Sequence, residues 1–264
     1  MPGVARLTLT RPDSLNALSS DMMSELQGRL AEVATDTRHR VLVLAAQGKA
    51  FSAGHDLREM KSHPDLGFYQ NLFAQCSKLM LALQQLPQPV IARIDGIATA
   101  AGCQLVSMCD LAVASDTSRF AVSGIQYGLF CSTPSVGLTR NVGRKKAMEM
   151  LLTGDFIDAV EAQSQGLINR CVPASELDDA VAELCRKIVT KPPASVRMGK
   201  ALFYQQLELG MAAAYQLAGQ TMACNMMDEA AQEGFQAFID KRKPEDRKST
   251  RLNSSHTDIS RMPS

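Results

Sequence analysis

Tryptophan is absent from the 264 residues, and aromatic side chains make up only 5% of them. A core built from this chain must therefore rest on aliphatic side chains and on its 14 methionines. Charge of one sign is also lacking in excess. Lys and Arg number 28 against 27 Asp and Glu, a formal net charge of +1. No bulk field draws such a chain toward nucleic acid or an anionic membrane. No apolar run is long enough to span a bilayer. Met1-Pro2-Gly3-Val4 does not read as a signal peptide. Seven cysteines are present (Cys76, Cys103, Cys109, Cys131, Cys171, Cys185 and Cys224), but no C-x-x-C pair or His/Cys cluster. Their odd number and scattered spacing argue against a zinc site and against a disulfide framework. Reduced thiols in an intracellular compartment are expected.

What is present is an ordinary globular composition, 45% hydrophobic and 21% charged, enough for one large domain or two small ones. Two glycine-marked loops organise it. The first is Lys49-Ala50-Phe51-Ser52-Ala53-Gly54-His55-Asp56-Leu57, and the second runs from Ile94-Asp95-Gly96 through Ala101-Gly102-Cys103-Gln104. Each follows an apolar run that reads as a buried strand, Val41 to Ala46 and Val90 to Ile94, and each leads into a helical pattern. Two small-residue loops placed after two strands can bring two backbone N–H groups to one point, as an oxyanion hole requires. The donors are read as the N–H groups of His55 and Ala101.

Along the chain, Val4 to Thr10 alternates as a strand and Arg11-Pro12-Asp13 turns it. Ser19 and Ser20 are candidate N-caps for a helix carrying Met22, Met23, Leu26, Leu30 and Val33. After the first loop a helix begins at Leu57, breaks at His63 to Gly67 and resumes from Asn71 to Leu86. Leu111 to Ala114 and Phe120 to Val122 read as strands. The alternation argues for an α/β domain with right-handed crossovers. Beyond Val136 the pattern turns helical, over Lys145 to Leu152, Ala159 to Gln165, Leu177 to Val189, Ser195 to Leu209 and Met222 to Asp240. The polar stretch 244–264 has no periodicity and is expected to be disordered or foreign to the native protein.

Several ordered motifs carry a resemblance: Leu9-Thr10-Arg11-Pro12 with Leu15-Asn16-Ala17-Leu18, Phe51 to Leu57, Asp95-Gly96 with Ala101-Gly102-Cys103, Cys109-Asp110, Gly137 to Arg140, Met148 to Gly154, Ala162 with Gly166-Leu167, and Phe235 to Lys243. In this order they resemble the crotonase (enoyl-CoA hydratase/isomerase) superfamily over roughly Val4 to Lys243. The resemblance implies an α/β, crotonase/ClpP-like spiral of ββα units (1–195). It implies a C-terminal helical trimerisation region (196–243) and assembly as a homo-trimer or a hexamer, a dimer of trimers. It also implies an acyl-CoA thioester ligand, a mitochondrial location, and no cofactor beyond the coenzyme A of that ligand. The thioester oxygen would sit between the N–H groups of His55 and Ala101, with the helix after Gly102 adding its positive end. The family usually carries glycine where Ala101 stands.

The departures bear on activity. Hydratases of the family use two glutamates to hold water and move its protons. By motif spacing the first falls on Gln104 and the second on Gly124, while an aspartate used by other branches falls near Ser132. All three acid positions are read as empty. Losing such a group costs about 10²–10⁴ in rate, so ordinary hydration is expected to be very weak or absent. An isomerase, decarboxylase or thioesterase relying on the oxyanion hole remains open, as does a hydratase using other groups. One branch of the family binds RNA through a lysine-rich helix; only Lys145-Lys146 offers such charge here, so no nucleic-acid partner is expected, and no membrane.

Substrate contacts are expected from Leu15, Ala53, Asp56, Leu57, Gly102, Ser132, Phe238 and Lys241, with Leu57, Met60, Leu66, Phe68 and Leu72 lining an acyl pocket. Lys241 to Lys243 would meet CoA phosphates or simply close a helix end, and Arg11 and Arg58 are weaker candidates for the same charge. Asp56 reads as a helix N-cap before it reads as a catalyst. Gln104 is either a polar contact to water or thioester or a plain helix residue. Cys131 and Ser132 lie where a nucleophile could reach the acyl group, but with no nearby His or Lys in sequence Cys131 reads first as a buried, inert thiol; Tyr127 reads as a packing residue before a phenol donor, and Cys103 and Cys109 as small hydrophobes.

Overall fold

The computed structural model describes residues 1–244. Residues 1–190 form one compact unit, and the described residues from Lys191 onward form another. In the first unit, β1 (Val4–Leu9) leads through a short 3₁₀ turn at Pro12–Ser14 into α1 (Ser20–Thr35). Ser19 is the cap: its Oγ accepts from the Met22 N–H at 3.3 Å. Three strand pairs follow, each made of one longer and one short strand. They are β2 (Val41–Ala46) with β3 (Ala50–Ser52), β4 (Val90–Ile94) with β5 (Ile97–Thr99), and β6 (Leu111–Ser115) with β7 (Arg119–Ala121). The first pair is followed by α2 (Leu57–Ser62) and α3 (Leu66–Gln85), the second by α4 (Ala101–Met108), and the third by α5 (Ser132–Leu138). α6 (Arg144–Thr153), β8 (Ile157–Asp158), α7 (Ala159–Ser164), β9 (Arg170–Val172) and α8 (Leu177–Val189) complete the unit.

The longer strand of each pair joins a parallel sheet ordered β1-β2-β4-β6-β9, and the shorter joins a second sheet ordered β3-β5-β7-β8. The chain thus steps from one sheet to the other with every repeat, which is the ββα spiral expected. Val41 to Ala45 are all buried, because helices cover both faces of the parallel sheet. On one face Leu42, Leu44 and Ala92 pack with α1 and α3; on the other Val41, Val43 and Ile91 pack with Val181 and Cys185 of α8.

One helix boundary and several residue placements differ from expectation in this unit. The third helix starts at Leu66, not Asn71, because the Asp65 carboxylate accepts from Gly67 N–H (3.0 Å) and Phe68 N–H (2.7 Å). The His63 to Gly67 break is in part a helix start. Leu72 lies in the core at 2% exposure, whereas Leu57 (62%) and Leu66 (72%) face solvent. Tyr127 is 75% exposed and packs no core.

In the second unit, α9 (Pro193–Leu207), α10 (Met211–Met226) and α11 (Glu229–Ile239) replace the expected helices 195–209 and 222–240. The long helix is broken where the Asp228 carboxylate accepts from Ala230 N–H (3.0 Å) and starts a new one. Few of these residues are buried: none in α9, Ala214 in α10, Glu233 and Ala237 in α11. The part of the expected polar tail from residue 245 onward lies outside the described residues.

Candidate functional site

The first loop is held in place by a segment twenty residues or more upstream. Asn16 is fully buried in left-handed backbone (φ 51°). Its Nδ2 donates to the carbonyls of Gln47 and Ala50, both at 2.8 Å, and its Oδ1 accepts from Arg11 N–H at 2.9 Å. Ser52 Oγ donates to Asn16 O (2.9 Å), Ala53 N–H to Leu15 O (3.0 Å), and Leu18 N–H to Gly54 O (2.7 Å). Asn16 was missed as a site-building residue. Its signal was an asparagine directly after a turn, a residue type that tolerates left-handed backbone.

The second loop lies directly against the first. A Cβ at Gly102 would overlap the Ser52 carbonyl, so only glycine permits this backbone approach. Gly54 adopts φ +91°, and a Cβ there would stand 3.0 Å from the Ala101 nitrogen and 2.9 Å from the Ala100 Cβ. Ala100 itself is at φ 50°, ψ −122°. The strained alanine of this loop is thus Ala100, one residue before the one where glycine was looked for. Ala101 opens α4 and is 1% exposed. Among the described residues no acceptor engages the N–H of Ala101 or of His55. Two unengaged amides therefore flank Gly54, one at the positive end of a buried helix.

The His55 ring is set apart from its backbone. It meets Phe73 of α3 edge-on, with centroids 5.5 Å apart. Neither ring nitrogen has a hydrogen-bond partner or contact with solvent. Burial lowers its pKa below the ordinary 6.5; the Leu18 carbonyl and the Glu59 carboxylate oppose this and lose. The unfolded chain then binds the proton more readily than the folded one. Stability contributed by neutral His55 is complete above about pH 6.5 and falls as pH drops from there toward the lower folded value. Urea midpoints measured from pH 7.5 to 5 should decline over that window, and His55→Gln should flatten the decline. An equal slope in the variant would show that other groups cause it.

Gln104 of α4 is 5% exposed, with Oε1 4.0 Å from the Cys76 thiol of α3. Gly124 stands in a short 3₁₀ turn, Ser123–Tyr127, closed on itself. Its carbonyl accepts from Leu129 N–H (3.0 Å), and its N–H donates to Cys131 Sγ at 3.3 Å. A Cβ at Gly124 would stand 2.5 Å from the Leu129 carbonyl oxygen and 2.8 Å from that sulfur. Cys131 is 6% exposed and its thiol pKa is raised by burial, as expected of an inert cysteine. Cys103 and Cys109 are buried as well. Ser132 is exposed at the start of α5.

Of the expected contact residues, Leu15 (38% exposed, φ 53°), Ala53 and Gly102 are brought together at the two loops. The Asp56 carboxylate caps α2, accepting from Arg58 N–H (3.0 Å) and Glu59 N–H (3.3 Å). In the second unit Phe238 is 82% exposed, and Lys241 is exposed in left-handed backbone at φ 53°. A cleft of about 410 Å³ lies elsewhere, between β1 and α1, lined by Arg11, Asp21, Glu25 and Arg29 among others. It contains neither glycine loop, so the unengaged amides rather than the volume mark the candidate site. Among the described residues no cluster of metal-ligating side chains occurs, and no helix is long and apolar enough to cross a membrane.

Comparison with known proteins gives the arrangement its context. The chain is similar to the human mitochondrial enoyl-CoA hydratase domain-containing protein 3, 43% identical over 244 residues, which cover 92% of this chain and 80% of the human one. The crystal structure of that human protein matches with a TM-score of 0.90 over 93% of this chain and 97% of the other. An enoyl-CoA hydratase structure from Mycobacterium smegmatis is 58% identical, with a TM-score of 0.91, covering 92% of this chain and 95% of that one. The profile described as Enoyl-CoA hydratase/isomerase matches residues 1–248. With the alternating two-sheet spiral and the paired glycine loops already in place, the chain belongs to the enoyl-CoA hydratase/isomerase family.

Proposed function

We propose that this protein binds acyl-CoA thioesters through the N–H groups of His55 and Ala101 and hydrates enoyl-CoA poorly or not at all. The observation that carries the first half is the approach of Gly54 to the Ala101 nitrogen, with the two neighbouring amides left without acceptors. Such donors suit a thioester oxygen that gains charge as an enolate or a tetrahedral adduct forms. The second half rests on Gln104, an amide that cannot take a proton, and on Gly124, whose side-chain space is occupied by the Leu129 carbonyl and the Cys131 thiol. Coenzyme A enters as part of the ligand, and no separate cofactor is required for this binding. Titration calorimetry with butyryl-CoA against free CoA tests the binding, and crotonyl-CoA turnover tests the chemistry. Expected are heat with the thioester and turnover at least 10²-fold below that of a two-glutamate hydratase. Turnover at a hydratase's rate would overturn the reading of Gln104 and Gly124. Absence of binding would remove the acyl-CoA role and, with it, an isomerase, decarboxylase or thioesterase acting through the same amides.

The wider reading follows from the same family. A role in fatty-acid metabolism fits the ligand class, and a mitochondrial location fits the vertebrate relatives named so. Assembly as a trimer or a dimer of trimers fits the second unit, which exposes Phe203, Leu207, Met211, Tyr215, Met222 and Phe238. Light scattering should then give three or six times the 28.6 kDa chain mass, and a monomer at micromolar concentration would sink the oligomer.

A further inference from the structure

Position 104 holds more than the loss of an acid. Gln104 lies three residues after Ala101 on α4, and side chains at this spacing share a helix face and lean toward the N-terminus. The amide therefore leans toward the end of the helix where the Ala101 N–H stands free. Its orientation is set by one neighbour. Cys76 is fully buried in α3, with its Sγ 4.0 Å from Gln104 Oε1. Burial pushes that thiol up to about 12, so it stays protonated and is a donor. A donor facing the amide selects the carbonyl oxygen and turns the NH₂ group the other way. Among the described residues no acceptor faces Nε2, and that nitrogen is not one of the enclosed polar atoms, so it keeps contact with solvent although the residue is only 5% exposed. A glutamate at this place would offer an acceptor; this amide offers two N–H donors on the helix face that begins with Ala101.

We infer that Gln104, oriented by Cys76, is a ligand-binding donor, and that the ligand class is an acyl-CoA with a carbonyl or carboxylate oxygen on the third acyl carbon. The inference rests on the proposed acyl-CoA role and refines it. The third carbon carries the nearest such oxygen beyond the thioester itself. Two chemistries supply it, a 3-oxoacyl group and a carboxyacetyl group. Both need a donor, and positions 104 and 124 set no carboxylate against either. Cys76 acts through Gln104 and is a positioning residue.

Binding of acetoacetyl-CoA, malonyl-CoA and butyryl-CoA by calorimetry separates the possibilities, each affinity expressed relative to butyryl-CoA in the same variant. The wild type should bind both oxygen-bearing ligands about tenfold or more tighter than butyryl-CoA, the scale of one buried hydrogen bond. Gln104→Leu should bring both ratios to within about threefold of unity; Gln104→Met serves if the leucine variant does not fold. Gln104→Glu should weaken malonyl-CoA far more than acetoacetyl-CoA, which distinguishes the charged source from the neutral one. Cys76→Ala should lower the ratios by about threefold, and Cys76→Ser, which keeps a donor, should restore them. A merely structural cysteine would shift all three ligands together. Ratios near unity in the wild type, with butyryl-CoA bound, would overturn this inference and leave the acyl-CoA role standing. Ratios unchanged in both Gln104→Leu and Gln104→Met would also overturn it. No binding by any of the three would remove the acyl-CoA role and this inference together.

Discussion

Gly54→Ala is expected to weaken acyl-CoA binding by about tenfold while leaving the protein folded. The added Cβ would stand 3.0 Å from the Ala101 nitrogen, 2.9 Å from the Ala100 Cβ and 3.1 Å from the Thr99 carbonyl. These neighbours are backbone and a short side chain, with no flexible end to move aside. The backbone at φ +91° adds strain that an L side chain rarely accepts. Relief requires the two loops to separate by a few tenths of an ångström or more, which misplaces one amide relative to the other. One hydrogen bond to the neutral thioester oxygen is worth about 0.5–1.5 kcal/mol in binding, and that sets the expected scale. Unlike Gly54, Gly28 lies in mid-α1 with nothing near its Cβ position. Gly28→Ala should raise stability by about 0.5–1 kcal/mol and leave binding alone. Calorimetry with butyryl-CoA and urea unfolding of both variants make the comparison. Full-strength binding by a folded Gly54→Ala protein would mean that the two amides do not act on one oxygen.

This expectation uses the part of the molecule that local sequence made legible. Val41 to Ala46 and Val90 to Ile94 are continuous apolar runs because helices cover both faces of their sheet, and their buried strands mark where each loop begins. The glycines stand out because backbone meets backbone there. What local pattern hid is just as instructive. β3, β5 and β8 are two or three residues long, too short to show a period. The joint between α10 and α11 falls in a stretch whose alanines and methionines favour helix throughout, and only the Asp228 cap breaks it. In the candidate site, the order of residues identified positions 104 and 124 but not what surrounds them. The contact of Cys76 with Gln104 spans 28 residues and joins two helices. The closure of Gly124 on Leu129 and Cys131 is a loop folded back on itself. Neither has a sequence signature, because each is decided by how elements pack.

That closure sets the second large effect. Installing a glutamate at Gly124, alone or together with Gln104→Glu, is expected to destabilise the protein by about 2 kcal/mol or more and to yield no hydratase. The Cβ alone would stand 2.5 Å from the Leu129 carbonyl oxygen, a backbone atom that moves only if the loop opens. Opening it breaks the Leu129 N–H bond to Gly124 O and the Gly124 N–H contact with Cys131 Sγ. Overpacking of this kind costs about 1–3 kcal/mol. The new carboxyl would then lie beside a carbonyl oxygen and a protonated thiol in a half-buried turn. Desolvation and the nearby oxygen both favour its neutral form, so its pKa rises and its value as a base falls. A second carboxyl at Gln104 would face the Cys76 thiol, which can donate to it, so that position accepts the change more readily than Gly124 does. Urea midpoints and crotonyl-CoA turnover should therefore order the single variants with Gln104→Glu the more stable and the double variant inactive. A Gly124→Glu protein of wild-type stability that hydrates crotonyl-CoA would show that this turn reopens freely, and that only the missing side chain, not the loop around it, keeps water from being added.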